Sequence, residues 1–80
     1  MPRYAQPLSI ITVAFTTDEE AGAVYGVIRK LKRDTYVAFH TMYDDHALIN
    51  VKPIDVDTVI DTFVELAHSK KMPGIHVQED

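Results

Sequence analysis

The chain has 80 residues, 12 acidic and 8 basic, a net charge of −4, 46% hydrophobic residues and no cysteine. That length suits one domain without a large enclosed catalytic cavity, because so short a chain buries only about 60–65% of its unfolded surface. The lack of cysteine excludes disulfides, thiolate nucleophiles and sulfur-ligated zinc. Ordinary apolar content argues against disorder, and no run approaches the ~18 apolar residues of a membrane span.

Residues 1–7 carry Pro2 and Pro7 and no apolar stretch of the kind a secretory signal needs. They are expected to form an extended lead-in to a single α+β domain over residues 8–80, with a cytoplasmic location. Leu8 to Thr16 reads as a central strand, with Ile11, Val13 and Phe15 on one face and Leu8, Ile10, Thr12 and Ala14 on the other. Thr17 and Glu20 stand at the capping-box spacing, which starts a helix. Its core stripe is Ala21, Val24, Val27, Ile28 and Leu31, and Arg29, Lys30, Lys32 and Arg33 close it where the dipole favours cations.

Thr35 to Tyr43 alternates as a second strand, with Val37 and Phe39 toward the core and Tyr36, Ala38, His40 and Met42 outward. A third strand runs from about Ala47 to Lys52. If Ile49 and Val51 share the face of Val37 and Phe39, the connection needs an odd number of residues. A three-residue loop with Asp45 or His46 in the left-handed region is therefore expected. Asp55 or Asp57 caps a second helix with the stripe Val56, Val59, Ile60, Phe63, Leu66 and Ala67. Lys70 and Lys71 finish it, Pro73-Gly74 stops it, and Ile75 to Val77 forms the last strand.

The order β-α-β-β-α-β is that of the split βαβ, or ferredoxin-like, arrangement: a four-stranded antiparallel sheet in the order 4-1-3-2 with two helices on one face. In that arrangement the helices run antiparallel. The Arg29–Arg33 cluster is then expected to pair with Asp55, Asp57 and Asp61, and Asp18, Glu19 and Glu20 with Lys70 and Lys71. An anionic ligand or partner is the competing use of the basic cluster.

Nucleic acid is disfavoured as a partner, because the exposed positions of the two central strands carry no aromatic ring and the net charge is negative. His40, Asp44, Asp45 and His46 surround one hairpin and could ligate a divalent ion, but Asp-Asp equally suits a tight turn. No metal, cofactor or membrane is implied. No nucleophile has a base beside it and no glycine-rich loop exists, so an enzyme is not expected.

Two surfaces suggest protein binding. The open sheet face presents Ile10, Thr12, Ala14, Tyr36, Ala38, His40, Met42, Leu48, Asn50 and Lys52, with His76 and Gln78 at the edge, half apolar and fit for a homodimer about a two-fold axis. A stripe on the first helix carries Gly22 and Gly26 one turn apart beside Tyr25 and Arg29, where another backbone could approach closely. The expectation is a small non-enzymatic protein-binding module, a regulator, adaptor or inhibitor. The alternative is a small-ligand or metal sensor built from the hairpin tip and the loops Thr16–Asp18 and Met72–Gly74.

Overall fold

In the structure, a computed structural model that describes residues 7–80, the alternation in the first apolar segment produces strand β1 (Ser9–Ala14). Ile11, Val13 and the following Phe15 are buried, whereas Ile10, Thr12 and Ala14 lie on the opposite face. Helix α1 (Asp18–Arg33) follows, then β2 (Phe39–Met42), β3 (His46–Val51), a 3₁₀ turn at Pro53–Asp55, α2 (Val56–Ser69) and β4 (His76–Glu79). The extended segment expected over residues 1–7 lies, apart from Pro7, outside the described residues.

The sheet is antiparallel throughout, in the order β2-β3-β1-β4, which counted from the other edge is β4-β1-β3-β2. Ile11, Val13, Ala47, Ile49 and Val51 from the sheet share one apolar cluster with Val24, Ile28 and Leu31 of α1 and Val56, Val59 and Phe63 of α2. Both helices therefore cover the same sheet face. Fully burying a side chain of this kind contributes roughly 1.5–3 kcal/mol. Among the described residues no helix is long and apolar enough to cross a membrane.

The first helix starts as its sequence dictates. The Thr17 hydroxyl accepts from the Glu20 N–H at 3.1 Å, and the Glu20 carboxylate accepts from the Thr17 N–H at 3.3 Å. Asp55 occupies the position before α2 but makes no capping hydrogen bond through its side chain, the preceding 3₁₀ turn having already set the chain's direction. Both helices end in a Schellman motif without glycine. After α1, the Thr35 N–H donates to the Lys32 carbonyl and the Tyr36 N–H to the Leu31 carbonyl, with Thr35 at φ 67°. After α2, Lys71 (φ 53°) and Met72 donate to the His68 and Ala67 carbonyls in the same way, so α2 ends at Ser69, before the two lysines.

Strand β2 departs from its expected phase. Val37 is buried, but Phe39 is 55% exposed and lies on the outer face, with His40 and Met42 turned toward the helices. Phe39 pairs with Asn50, yet the Ala38 N–H also donates to the Asn50 carbonyl at 2.9 Å. Two residues thus stand against one, as in a β-bulge, and the alternation is reset between Val37 and Phe39. The hairpin closes with a two-residue turn, Asp44-Asp45, through the Tyr43 N–H donating to the His46 carbonyl at 2.8 Å. Neither Asp45 nor His46 adopts a positive φ, in contrast to the expected three-residue loop. Asn50 is kept out of the core because β3, buried at Ala47, Ile49 and Val51, sets the register and the four-residue edge strand follows it.

The expected cross-helix ion pairs do not form. Among the described residues the one salt bridge joins His46 and Asp45, so the basic cluster at the end of α1 stands without carboxylate partners.

Candidate functional site

The outer sheet face is built in three rows across the strands. Phe39, Asn50, Ile10 and Asp80 form the first, Thr41, Leu48, Thr12 and Gln78 the second, and Tyr43, His46, Ala14 and His76 the third. Ile10, Phe39 and Tyr43 are 40%, 55% and 49% exposed, and Leu48 is half-buried diagonally between Ile10 and Phe39. No lysine, arginine or glutamate stands in these rows. The Thr12 hydroxyl donates to the Asp80 carboxylate at 3.0 Å, which occupies the charged corner.

Of the residues expected on this face, Ile10, Thr12, Ala14, Leu48 and Asn50 are there. His40 is not, because the bulge turns it toward α1, and Ala38 sits at the bend outside the strand. Phe39, Thr41 and Tyr43 take their place and make the face more aromatic than the alternation implied. The signal that could have found them is the uninterrupted burial pattern of β3, whose pairing dictates the phase of its edge neighbour.

At the hairpin tip the rings of Tyr43 and His46 stack, 4.7 Å apart with 17° between planes. The Asp45 carboxylate accepts from His46 Nδ1 at 2.7 Å, and that hydrogen bond holds Asp45 below the usual carboxylate range. His40 and His46 lie on opposite sheet faces, and among the described residues no group of three histidine or carboxylate side chains converges on a common point. The three loops of the alternative reading do meet. The Phe15 N–H donates to the Asp45 carbonyl at 3.1 Å, and the Gly74 N–H donates to the buried Glu20 carboxylate at 2.9 Å. Glu20 also accepts from the Thr16 N–H (2.8 Å) and hydroxyl (3.0 Å). These bonds, the Thr16 N–H foremost, lower its pKa against the opposing effect of burial. The polar groups of this end are thus engaged with one another.

On α1, Gly22 and Gly26 face open space: beyond the neighbouring residues and backbone of the helix itself, no described atom lies within 4 Å of the position a methyl group would take. Tyr25, 43% exposed, lies beside a shallow pocket of about 510 Å³ between α1 and β2, lined by Tyr25, Arg29, Lys32, Arg33 and His40. The Arg29 guanidinium sits 5.9 Å from the centre of the Tyr25 ring, and the His40 ring lies 6.1 Å from it on a tilt of 59°. Burial, with Lys32 nearby, lowers the pKa of His40, whose Nδ1 is hidden from water and has no hydrogen-bond partner. Compared with family models, with curated proteins and with solved structures, the chain matches none.

Proposed function

We propose that this protein is a small non-enzymatic protein-binding module of the regulator, adaptor or inhibitor kind, cytoplasmic, with a ferredoxin-like arrangement, and that it self-associates through the outer sheet face. One observation carries the reading: Ile10 and Phe39 stand exposed beside half-buried Leu48 on a face whose three rows carry one formally charged residue, Asp80, with Lys52 just beyond the end of β3. Aromatic enrichment and depletion of charge mark the centres of interfaces. A second copy brings the same face about a two-fold axis, so the Ile10, Leu48 and Phe39 patch of one copy can meet that of the other with uncharged threonine, asparagine and glutamine side chains around it.

The footprint limits the affinity. Two strands of six residues and two of four, ~4.8 Å apart and rising ~3.4 Å per residue, span about 330 Å² per copy. Specific interfaces commonly bury about 800 Å² per partner, so the dimer is expected to be weak. Sedimentation across roughly 1–300 μM, the range in which a weak dimer dissociates, should show a concentration-dependent shift from monomer to dimer. Ile10→Lys and Phe39→Lys, each at a solvent-facing position, should hold the protein monomeric with unchanged far-ultraviolet circular dichroism. A wild-type protein that stays monomeric at the highest concentration overturns the proposal.

A further inference from the structure

We infer that the pocket between the last two turns of α1 and strand β2 is a binding site for a phosphoryl dianion, either free phosphate or the phosphate of a small organic ester. Four of the chain's eight basic residues fall within Arg29–Arg33 in a protein of net charge −4. Tyr25, Arg29 and Arg33 follow one another at four-residue intervals, with Lys32 three after Arg29, so one helix face presents them together. Like charges at these spacings weaken a helix when they lack partners. Among the described residues none of these is in a salt bridge, and no carboxylate lines the pocket.

The arrangement suits a tetrahedral anion. Two guanidinium groups offer forked pairs of N–H donors and Lys32 adds a point charge. Arg29 is steadied by its position near the Tyr25 ring. The negative end of the α1 dipole opposes an anion, but it amounts to about half a charge against three full positive charges. The carbonyls of Lys30, Leu31 and Lys32 already accept from Asp34, Tyr36 and Thr35, so they do not present bare acceptors to the ligand. His40 also lines the pocket, and among the described residues its buried Nδ1 has no hydrogen-bond partner, a rare condition for a group hidden from water. The volume, about 510 Å³, falls in the range of small-ligand pockets and exceeds what phosphate alone needs. Tyr25 offers a flat surface to an attached organic group.

The test is titration of the ¹⁵N-labelled protein with inorganic phosphate and, separately, with phenyl phosphate at low ionic strength. Saturable shifts at Tyr25, Arg29, Lys32, Arg33 and the His40 ring, with a midpoint at or below about 10 mM, are expected. Tighter binding of phenyl phosphate identifies an organic ester as the fitting ligand, and equal binding identifies phosphate itself. Arg29→Gln with Arg33→Gln, exposed positions that keep their helix propensity, should weaken binding at least about tenfold. Lys32→Gln alone should weaken it less, and Lys70→Gln with Lys71→Gln, removing equal charge elsewhere, should leave it unchanged. Absence of saturation, survival of binding in the double arginine variant, or equal loss in the Lys70/Lys71 variant overturns the inference. Because sedimentation reads the opposite sheet face, failure of either proposal is distinguishable from failure of the other.

Discussion

Replacing Gly22 and Gly26 together by alanine should stabilise the protein. The two glycines are the fifth and ninth residues of the 16-residue α1, well inside the helix. Glycine in a helix interior is worse than alanine by roughly 0.5–1 kcal/mol, because the unfolded chain loses more freedom on ordering. Beyond the neighbouring residues and backbone of the helix itself, neither new methyl group would meet a described atom within 4 Å, so no steric term offsets the gain. The pair should therefore add roughly 1–2 kcal/mol to a total stability on the order of 4–12 kcal/mol for a chain of this length. At about 4–8 °C per kcal/mol in a small domain, the melting temperature should rise by roughly 4–16 °C. Circular dichroism melts, with urea midpoints at constant m value, measure this directly. An unchanged or lower melting temperature would refute the reasoning and mean that something packs on the stripe in solution. Repeating the sedimentation series on the same variant shows whether a partner backbone seats there, since added methyl groups would then also weaken association.

Thr35→Gly should stabilise by roughly 0.5–1 kcal/mol, the relief of a β-branched residue from the left-handed region less the extra freedom of unfolded glycine; chemical denaturation measures it. Gly74→Ala should destabilise by roughly 1–3 kcal/mol despite a permitted φ, because its Cβ would run into the Thr16 hydroxyl and the Glu20 carboxylate. The folded pKa of Glu20 lies below the ordinary glutamate value of 4.5, so its contribution to stability is complete above that value and is lost as pH falls through the lower folded value. Urea midpoints between about pH 6 and about pH 3 should fall more steeply for wild type than for Glu20→Gln; parallel curves would contradict the assignment.

What could be read from the sequence depended on which residues decide their own placement. The stripes of α1 and α2 and the alternation of β1 and β3 are self-evident, because each buries enough apolar surface to set its own orientation. The Thr17–Glu20 box is equally local. Strand β2 failed for the opposite reason. Val37 and Phe39 share a parity, but only Val37 can reach the core, and the bulge at Ala38 that separates them is a response to Asn50 on another strand. That one displaced residue moved His40 from the outer face to the wall of the α1 pocket and carried Phe39 and Tyr43 outward. Charge pairing across the helices was also beyond reach, since exposed pairs are worth at most about 1 kcal/mol and do not command helix placement. The Arg29–Arg33 spacing was visible all along, but its meaning depended on where β2 put His40.

The bonds around Glu20 make the far end of the sheet an acid-labile latch. Strand β4 is four residues long, pairs among the described residues only with β1, and is preceded by the loop whose Gly74 amide the carboxylate holds. Protonating that carboxylate weakens its bonds to the Thr16, Thr17 and Gly74 amides, so acid is expected to loosen the tie between the Gly74 loop and the start of α1 while β4 keeps its pairing with β1.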